Sequence, residues 1–169
     1  MTNNIFKDIL KGKTVIVGIG NTLRADDGFG PALIERLKGK VKALCIDAAT
    51  APENYAGKIA KAKPDTILIV DALHLGLAPG KHEILRKDDI AKSGLSTHDI
   101  SLKMFIEYLQ TRTPADIFVL GVQPKNLSFG QEMSAEVKST LEKIADVIAS
   151  EAKQSPRLRL LRRPSAFSQ

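Results

Sequence analysis

Apolar runs and helical apolar stripes alternate along most of this chain. Four runs without polar alternation are typical of strands buried on both faces of a sheet. They occupy residues 14–18, 41–47, 66–71 and 116–122. Apolar residues at helical spacing predict helices between and after these runs. The predicted helices cover residues 31–37, 52–62, 100–110 and 134–149. A short edge strand is predicted at residues 81–85, after the turn at Pro79 and Gly80.

This alternation predicts an α/β fold with a single three-layer domain. We expect a twisted, mostly parallel sheet of about five strands with helices on both faces. A chain of 169 residues fits one such domain, which we place at residues 1–150. Residues 151–169 lose the periodicity and contain several arginines and two prolines. We expect that segment to be a basic, disordered C-terminal tail.

The charge distribution and the cysteine content disfavour two classes of protein, nucleic-acid-binding domains and disulfide-bonded proteins. The net charge is +6, but residues 151–169 hold five basic residues and one acidic residue, or +4, which leaves +2 for the preceding 150 residues. A basic tail is weak support for nucleic-acid binding by the domain. Cys45 is the only cysteine, so no intrachain disulfide forms, and its apolar surroundings indicate a structural thiol. With no signal-peptide or membrane-span pattern, we expect a cytoplasmic monomer that binds neither nucleic acid nor membranes.

Polar side chains collect where the predicted strands end. Open parallel sheets bind ligands at the carboxyl ends of their strands, so these residues are expected to share one edge. They are Asn21, Asp26, Asp27, Asp47, Asp71, Ser96, Thr97, His98, Asp99 and Gln123. Two carboxylates with one imidazole form a nitrogen and oxygen ligand set that leaves positions open for water or substrate. A metal or hydrolytic site at this edge is therefore one interpretation.

Simpler interpretations compete with a metal site. Asp71 could accept hydrogen bonds from the turn that follows its strand, and either Asp26 or Asp27 could cap the N-terminus of the following helix. His98 could be a solvated loop residue. The spacing of Gly18 and Gly20 after a predicted strand matches the start of a dinucleotide-binding loop. However, Leu23 replaces the third glycine of that motif, and the acidic residues that follow would repel a pyrophosphate. Nucleotide binding is therefore disfavoured.

Five segments, in order, resemble the hydrogenase maturation protease family. They are VGIGNTLRADDGFGP at residues 17–31, IDAATAPEN at 46–54, IVDA at 69–72, THDISL at 97–102 and LGVQP at 120–124. The stretch at residues 51–54 and the Pro79-Gly80 turn are most similar to the branch that serves hydrogenases of the formate-hydrogenlyase type. The resemblance spans residues 14–148.

The resemblance implies an endopeptidase that removes a C-terminal extension from the nickel-loaded precursor of a nickel–iron hydrogenase large subunit. It implies that Asp27, Asp71 and His98 contact the metal and carry catalysis. It also implies that the precursor carries the nickel, so that no resident cofactor is expected. The cleavage would be of an aspartyl type or metal-assisted. A non-catalytic nickel-sensing docking module for the precursor is the alternative. Substitution of Asp26 or Asp47 should be milder, although Asp47 has a possible supporting position beside the ligands.

Overall fold

The protein is a single sheet enclosed by helices on both faces. The computed structural model describes residues 2–92 and 99–153. The strands are β1 (Thr14–Ile19), β2 (Leu44–Ala49), β3 (Thr66–Ala72), β4 (His82–Arg86) and β5 (Asp116–Val122). The helices are α1 (Thr2–Ile9), α2 (Phe29–Leu37), α3 (Ala56–Lys61), α4 (Lys87–Lys92), α5 (Asp99–Arg112) and α6 (Ala135–Lys153). Two 3-10 turns, Ala25–Gly28 and Pro52–Tyr55, precede α2 and α3.

The sheet is mixed and has the order β2-β1-β3-β5-β4. The first four of these strands are parallel, and β4 runs antiparallel to β5 at one edge. The central strand β3 lies between β1 and β5 and has five consecutive buried residues, because helices cover both of its faces. The chain adds β2 on one side of β1 and β3 on the other, so the strand order reverses there and the carboxyl ends of β1 and β3 form the topological switch point of the sheet.

Two apolar clusters, one on each side of the sheet, hold the layers together. The first combines residues of α1, α2 and α6 with alternate strand residues such as Leu68 and Val70. The second combines residues of α3, α4 and α5 with the intervening strand residues, such as Ile67 and Ile69. Side chains in a strand alternate between faces, so consecutive apolar residues of β3 supply both clusters.

The fold prediction is confirmed, and the differences lie in short elements and boundaries. The sequence pattern missed α1 and α4, which have eight and six residues. Residues 52–62 begin as a 3-10 turn before α3, and the second strand starts at Leu44 rather than at residue 41. Helix α6 continues to Lys153, three residues past the predicted domain boundary at 150, and residues 154–169 lie outside the described part. Among the described helices, none is long and apolar enough to cross a membrane.

Candidate active site

The loop after β1 is packed tightly against the switch point. Gly20 has φ +147°, and a side chain there would collide with the backbone carbonyl oxygen of Asp27. Gly30, in the first turn of α2, lies so close to the ends of β1 and β3 that a Cβ would strike the backbone of Ile19 and the carbonyl oxygen of Val70. These glycines close the turn and let the start of α2 touch the sheet. The 3-10 turn between them therefore lies against the end of β3.

Asp27 is half-buried in that turn and is only partly engaged. Its Oδ2 accepts a hydrogen bond of 2.9 Å from the backbone N–H of Asn21. Among the residues that the structure describes, none donates a hydrogen bond to Oδ1. The Asn21 N–H therefore orients the carboxylate through one oxygen, as hydrogen-bond donors around a metal-binding carboxylate do.

Asp26, the preceding residue, is fully buried and fully hydrogen-bonded. Its Oδ2 accepts hydrogen bonds from the backbone N–H groups of Lys125 (2.8 Å) and Asn126 (3.0 Å) and from the Ser134 hydroxyl (2.9 Å). Its Oδ1 accepts the backbone N–H of Ser134 at 2.7 Å, and its own N–H donates to the Asn126 carbonyl. We call these contacts the Asp26 clamp. They fasten the loop after β1 to the loop that joins β5 to α6.

The clamp changes the interpretation of both aspartates. Gly28 is the N-cap of α2, and no side chain caps this helix, so neither Asp26 nor Asp27 has the predicted capping role. Asp26 is also unsuitable as a mild control substitution, because it joins segments about 100 residues apart in sequence. Its substitution should act on folding and on the position of the loop. No local sequence pattern indicates these distant partners.

Asp71 approaches the same edge from the neighbouring strand. It is the penultimate residue of β3, is half-buried, and lies opposite Gly121 of β5. Because strand side chains alternate, Asp71 shares the face of Ile67 and Ile69, which pack in the cluster that includes α5. Asp27, in the turn after β1, and Asp71, at the end of the neighbouring β3, therefore both lie at the switch point between these strands.

The start of α5 lies at this edge as well. Residues 113–115 connect the end of α5 directly to the start of β5, so the helix runs back along the sheet from its carboxyl edge. Its 14 residues span about 21 Å, which is close to the roughly 23 Å of the seven-residue β5. Asp99, the first residue of α5, is therefore near the strand ends that carry Asp27 and Asp71.

The third predicted ligand, His98, lies outside the described residues. The predicted set of three ligands is thus represented by Asp27 and Asp71 alone. Within residues 2–92 and 99–153, no group of three or more His, Cys, Asp or Glu side chains is arranged to hold a metal ion. The assignment of His98 stays a prediction.

The loop after β3 is positioned by Gln123, which follows β5. This amide is nearly buried, and its Oε1 accepts the backbone N–H of Leu75 at 2.7 Å and that of Leu77 at 3.4 Å. Its Nε2 donates to the carbonyl oxygen of Pro124 at 3.2 Å. His74 is exposed on the held loop, three residues after Asp71. His74 follows Ala72, the last residue of β3, by two residues, so an imidazole other than that of His98 is close to Asp71 in sequence.

The remaining candidates have local roles. Asp47 is exposed, and its Oδ1 accepts the backbone N–H of Ala49 at 3.0 Å, which is a turn interaction. Cys45 is half-buried in β2, where burial raises the pKa of its thiol and the nearby Lys38 lowers it to a lesser extent. A thiol with a raised pKa is a poor nucleophile, so peptide cleavage through Cys45 is disfavoured. In β4, burial and then the neighbouring Lys81 lower the pKa of His82.

Comparison with known proteins gives concordant results. A family model described as hydrogenase maturation protease matches residues 31–151. The hydrogenase 3 maturation protease of Escherichia coli strain K12 is 36% identical over 133 residues, which cover 77% of this chain and 85% of that protein.

Solved structures agree in fold. A [NiFe] hydrogenase maturation protease HycI from Thermococcus kodakarensis KOD1 superposes with a TM-score of 0.81 at 36% identity, covering 88% of this chain and 99% of the other. An endopeptidase HycI from Escherichia coli, solved in solution, gives a TM-score of 0.73 at 30% identity and covers 82% of this chain and 90% of the other.

Proposed function

This chain belongs to the hydrogenase maturation protease family and is a peptidase, and from that premise we propose that it removes a C-terminal extension from a nickel–iron hydrogenase large-subunit precursor. The precursor carries the nickel, so the metal belongs to the substrate. The protein works in the cytoplasm as a monomer and recognises a folded, nickel-loaded protein partner.

Asp27, Asp71 and His98 are the residues through which it senses that nickel. The state of Asp27 supports this assignment most strongly, because one oxygen is held by the Asn21 N–H and the other has no donor among the described residues. Asp71 adds a second carboxylate from β3, across the switch point. The start of α5 at the same edge favours His98 as the third ligand, since His98 directly precedes that helix in sequence.

Two aspartates and one imidazole suit a borderline divalent ion that also keeps ligands from the precursor. This set leaves coordination positions open, so the nickel need not leave the precursor to be recognised. Two routes to cleavage use the same residues. Either the substrate's metal polarises the scissile carbonyl and acidifies a bound water, or one carboxylate activates the water while the nickel serves to check the substrate.

The decisive experiment is incubation of the purified protein with nickel-loaded and nickel-free precursor. We expect the loaded precursor to lose the mass of a C-terminal peptide, as measured by mass spectrometry, and the nickel-free precursor to stay intact. A stable complex with no loss of mass would instead support the docking-module alternative. Equal cleavage of both precursors would contradict nickel sensing.

A further inference from the structure

Two residues with large, exposed apolar side chains are neighbours next to the Asp27 turn. Leu23 is 60% exposed and Phe129 is 70% exposed. The backbone N–H of Gly130, the residue after Phe129, donates a 2.8 Å hydrogen bond to the carbonyl oxygen of Leu23. Single exposed apolar residues are ordinary on a protein surface, but adjoining ones beside a site indicate a binding surface. We call Leu23 and Phe129 the apolar ridge.

The ridge is fixed relative to the site by several hydrogen bonds. The Leu23 N–H donates to Asn21 Oδ1 at 2.9 Å, and the Asn21 N–H donates to Asp27 Oδ2 at 2.9 Å. On the other side, the Asp26 clamp holds the segment at Lys125 and Asn126, a few residues before Phe129. The ridge is therefore presented without the entropic cost of ordering two loose loops on binding.

We propose that the apolar ridge docks the hydrogenase precursor, by seating an apolar side chain from the segment next to the bond that is cut. This inference rests on the proposed function. Leu23 is in the same hydrogen-bonded loop as Asp27, so a precursor segment that brings a peptide bond to Asp27 comes close to the ridge. That loop presents apolar surface, and a complementary segment must therefore be apolar where it meets Leu23 and Phe129. The occupant is the precursor itself, because the ridge is continuous with the site.

The test compares how three proteins process the nickel-loaded precursor. They are the wild type, a double variant that combines Leu23→Ser and Phe129→Ser, and the single variant Met104→Ser. Met104 is a matched control, since it is 63% exposed but lies on α5, in the layer on the opposite face of the sheet from α2. We expect the double variant to raise KM about tenfold with kcat within about twofold, which is the effect of losing anchor residues at an interface. The control should keep both constants, and all variants should keep the melting temperature.

Measuring the Kd of the precursor directly distinguishes an error in the proposed role of the ridge from an error in the peptidase assignment. A wild-type protein that shortens the precursor, with an unchanged KM in the double variant, overturns the ridge alone. If the wild type binds the precursor without shortening it, the function is wrong, and the ratio of Kd values between wild type and double variant still decides the ridge. If the wild type neither binds nor shortens the precursor, both proposals are overturned.

Discussion

Asp26 and Asp27 are consecutive residues of one 3-10 turn with contrasting surroundings. Asp26 is fully buried, and its two oxygens accept four hydrogen bonds from the loop between β5 and α6. Asp27 is half-buried, and among the residues that the structure describes only Asn21 donates a hydrogen bond to its carboxylate. A tight 3-10 turn sends neighbouring side chains in different directions, so one acid can fasten the loop while the next serves chemistry.

Residue type and position along the chain therefore do not distinguish an acid that serves the fold from one that is proposed to serve the chemistry. The buried acid has all its bonding capacity used within the fold, as buried charged groups require. Asp27, the acid proposed to act in the site, has one oxygen without a donor in the described part of the chain. The loop after β3 has its own anchor, but there it is the neutral amide of Gln123.

Asp71→Asn should have the largest effect on activity. It keeps the size of the side chain but removes the charge that makes a good metal ligand, so precursor processing should fall about hundredfold or more. The melting temperature should move by only a few degrees. Asp47→Asn is the matched control, because asparagine retains the Oδ1 acceptor for the Ala49 N–H. A wild-type rate for Asp71→Asn would remove Asp71 from the site.

Single substitutions distinguish the proposed ligand His98 from the exposed His74. His98→Ala should lower processing and nickel-dependent precursor binding by about 10–100-fold, the loss typical of weakening a metal site. His74→Ala should stay within about twofold of wild type, because His74 is an exposed residue on the loop held by Gln123. The reverse pattern in the same processing assay would assign the imidazole ligand to His74.

Substitutions in the Asp26 clamp should act on stability. Asp26→Asn places an NH₂ group against backbone donors and should lower the free energy of unfolding by about 2–4 kcal/mol. Ser134→Ala removes only the hydroxyl donor and should cost about 1 kcal/mol. Denaturant titration measures both. Equal and negligible losses would mean that the clamp contributes little to the folded state.

Gln123→Ala should have the smallest effect on global stability and a local effect on the loop after β3. The Leu75 N–H loses its 2.7 Å acceptor, so its amide hydrogen exchange should accelerate, while amides of β1 keep their protection. Gln123→Glu retains the acceptor and should preserve protection at Leu75. Unchanged exchange in Gln123→Ala would show that other contacts position this loop.

Much of the fold was predictable from the sequence because buried parallel strands are continuous apolar runs. The strand at residues 66–71 and the strand Asp116–Val122 were identified within one residue of their bounds. Helices α1 and α4 were missed because they are short. Eight and six residues give too little apolar periodicity to identify a helix.

The site was predictable only in part. The ends of apolar runs located Asp27 and Asp71 on one edge, since parallel strands share their direction. The role of Asp26 depends on Lys125, Asn126 and Ser134, and no local pattern connects positions that far apart. His74 could have been found, because it follows the end of β3 by two residues. His98 stays a prediction from the resemblance and its sequence position.

The division of roles between the adjacent acids is tested most directly by measuring Asp26→Asn and Asp27→Asn together. For each variant, the processing rate per folded molecule and the free energy of unfolding would be determined under the same conditions. Asp27→Asn should lose processing by about hundredfold while its stability stays within about 1 kcal/mol of wild type. Asp26→Asn should lose stability by about 2–4 kcal/mol and retain more processing per folded molecule than Asp27→Asn. The opposite outcome, with Asp27→Asn unfolded or fully active, would contradict the assignment of Asp27 to the chemistry and Asp26 to the fold.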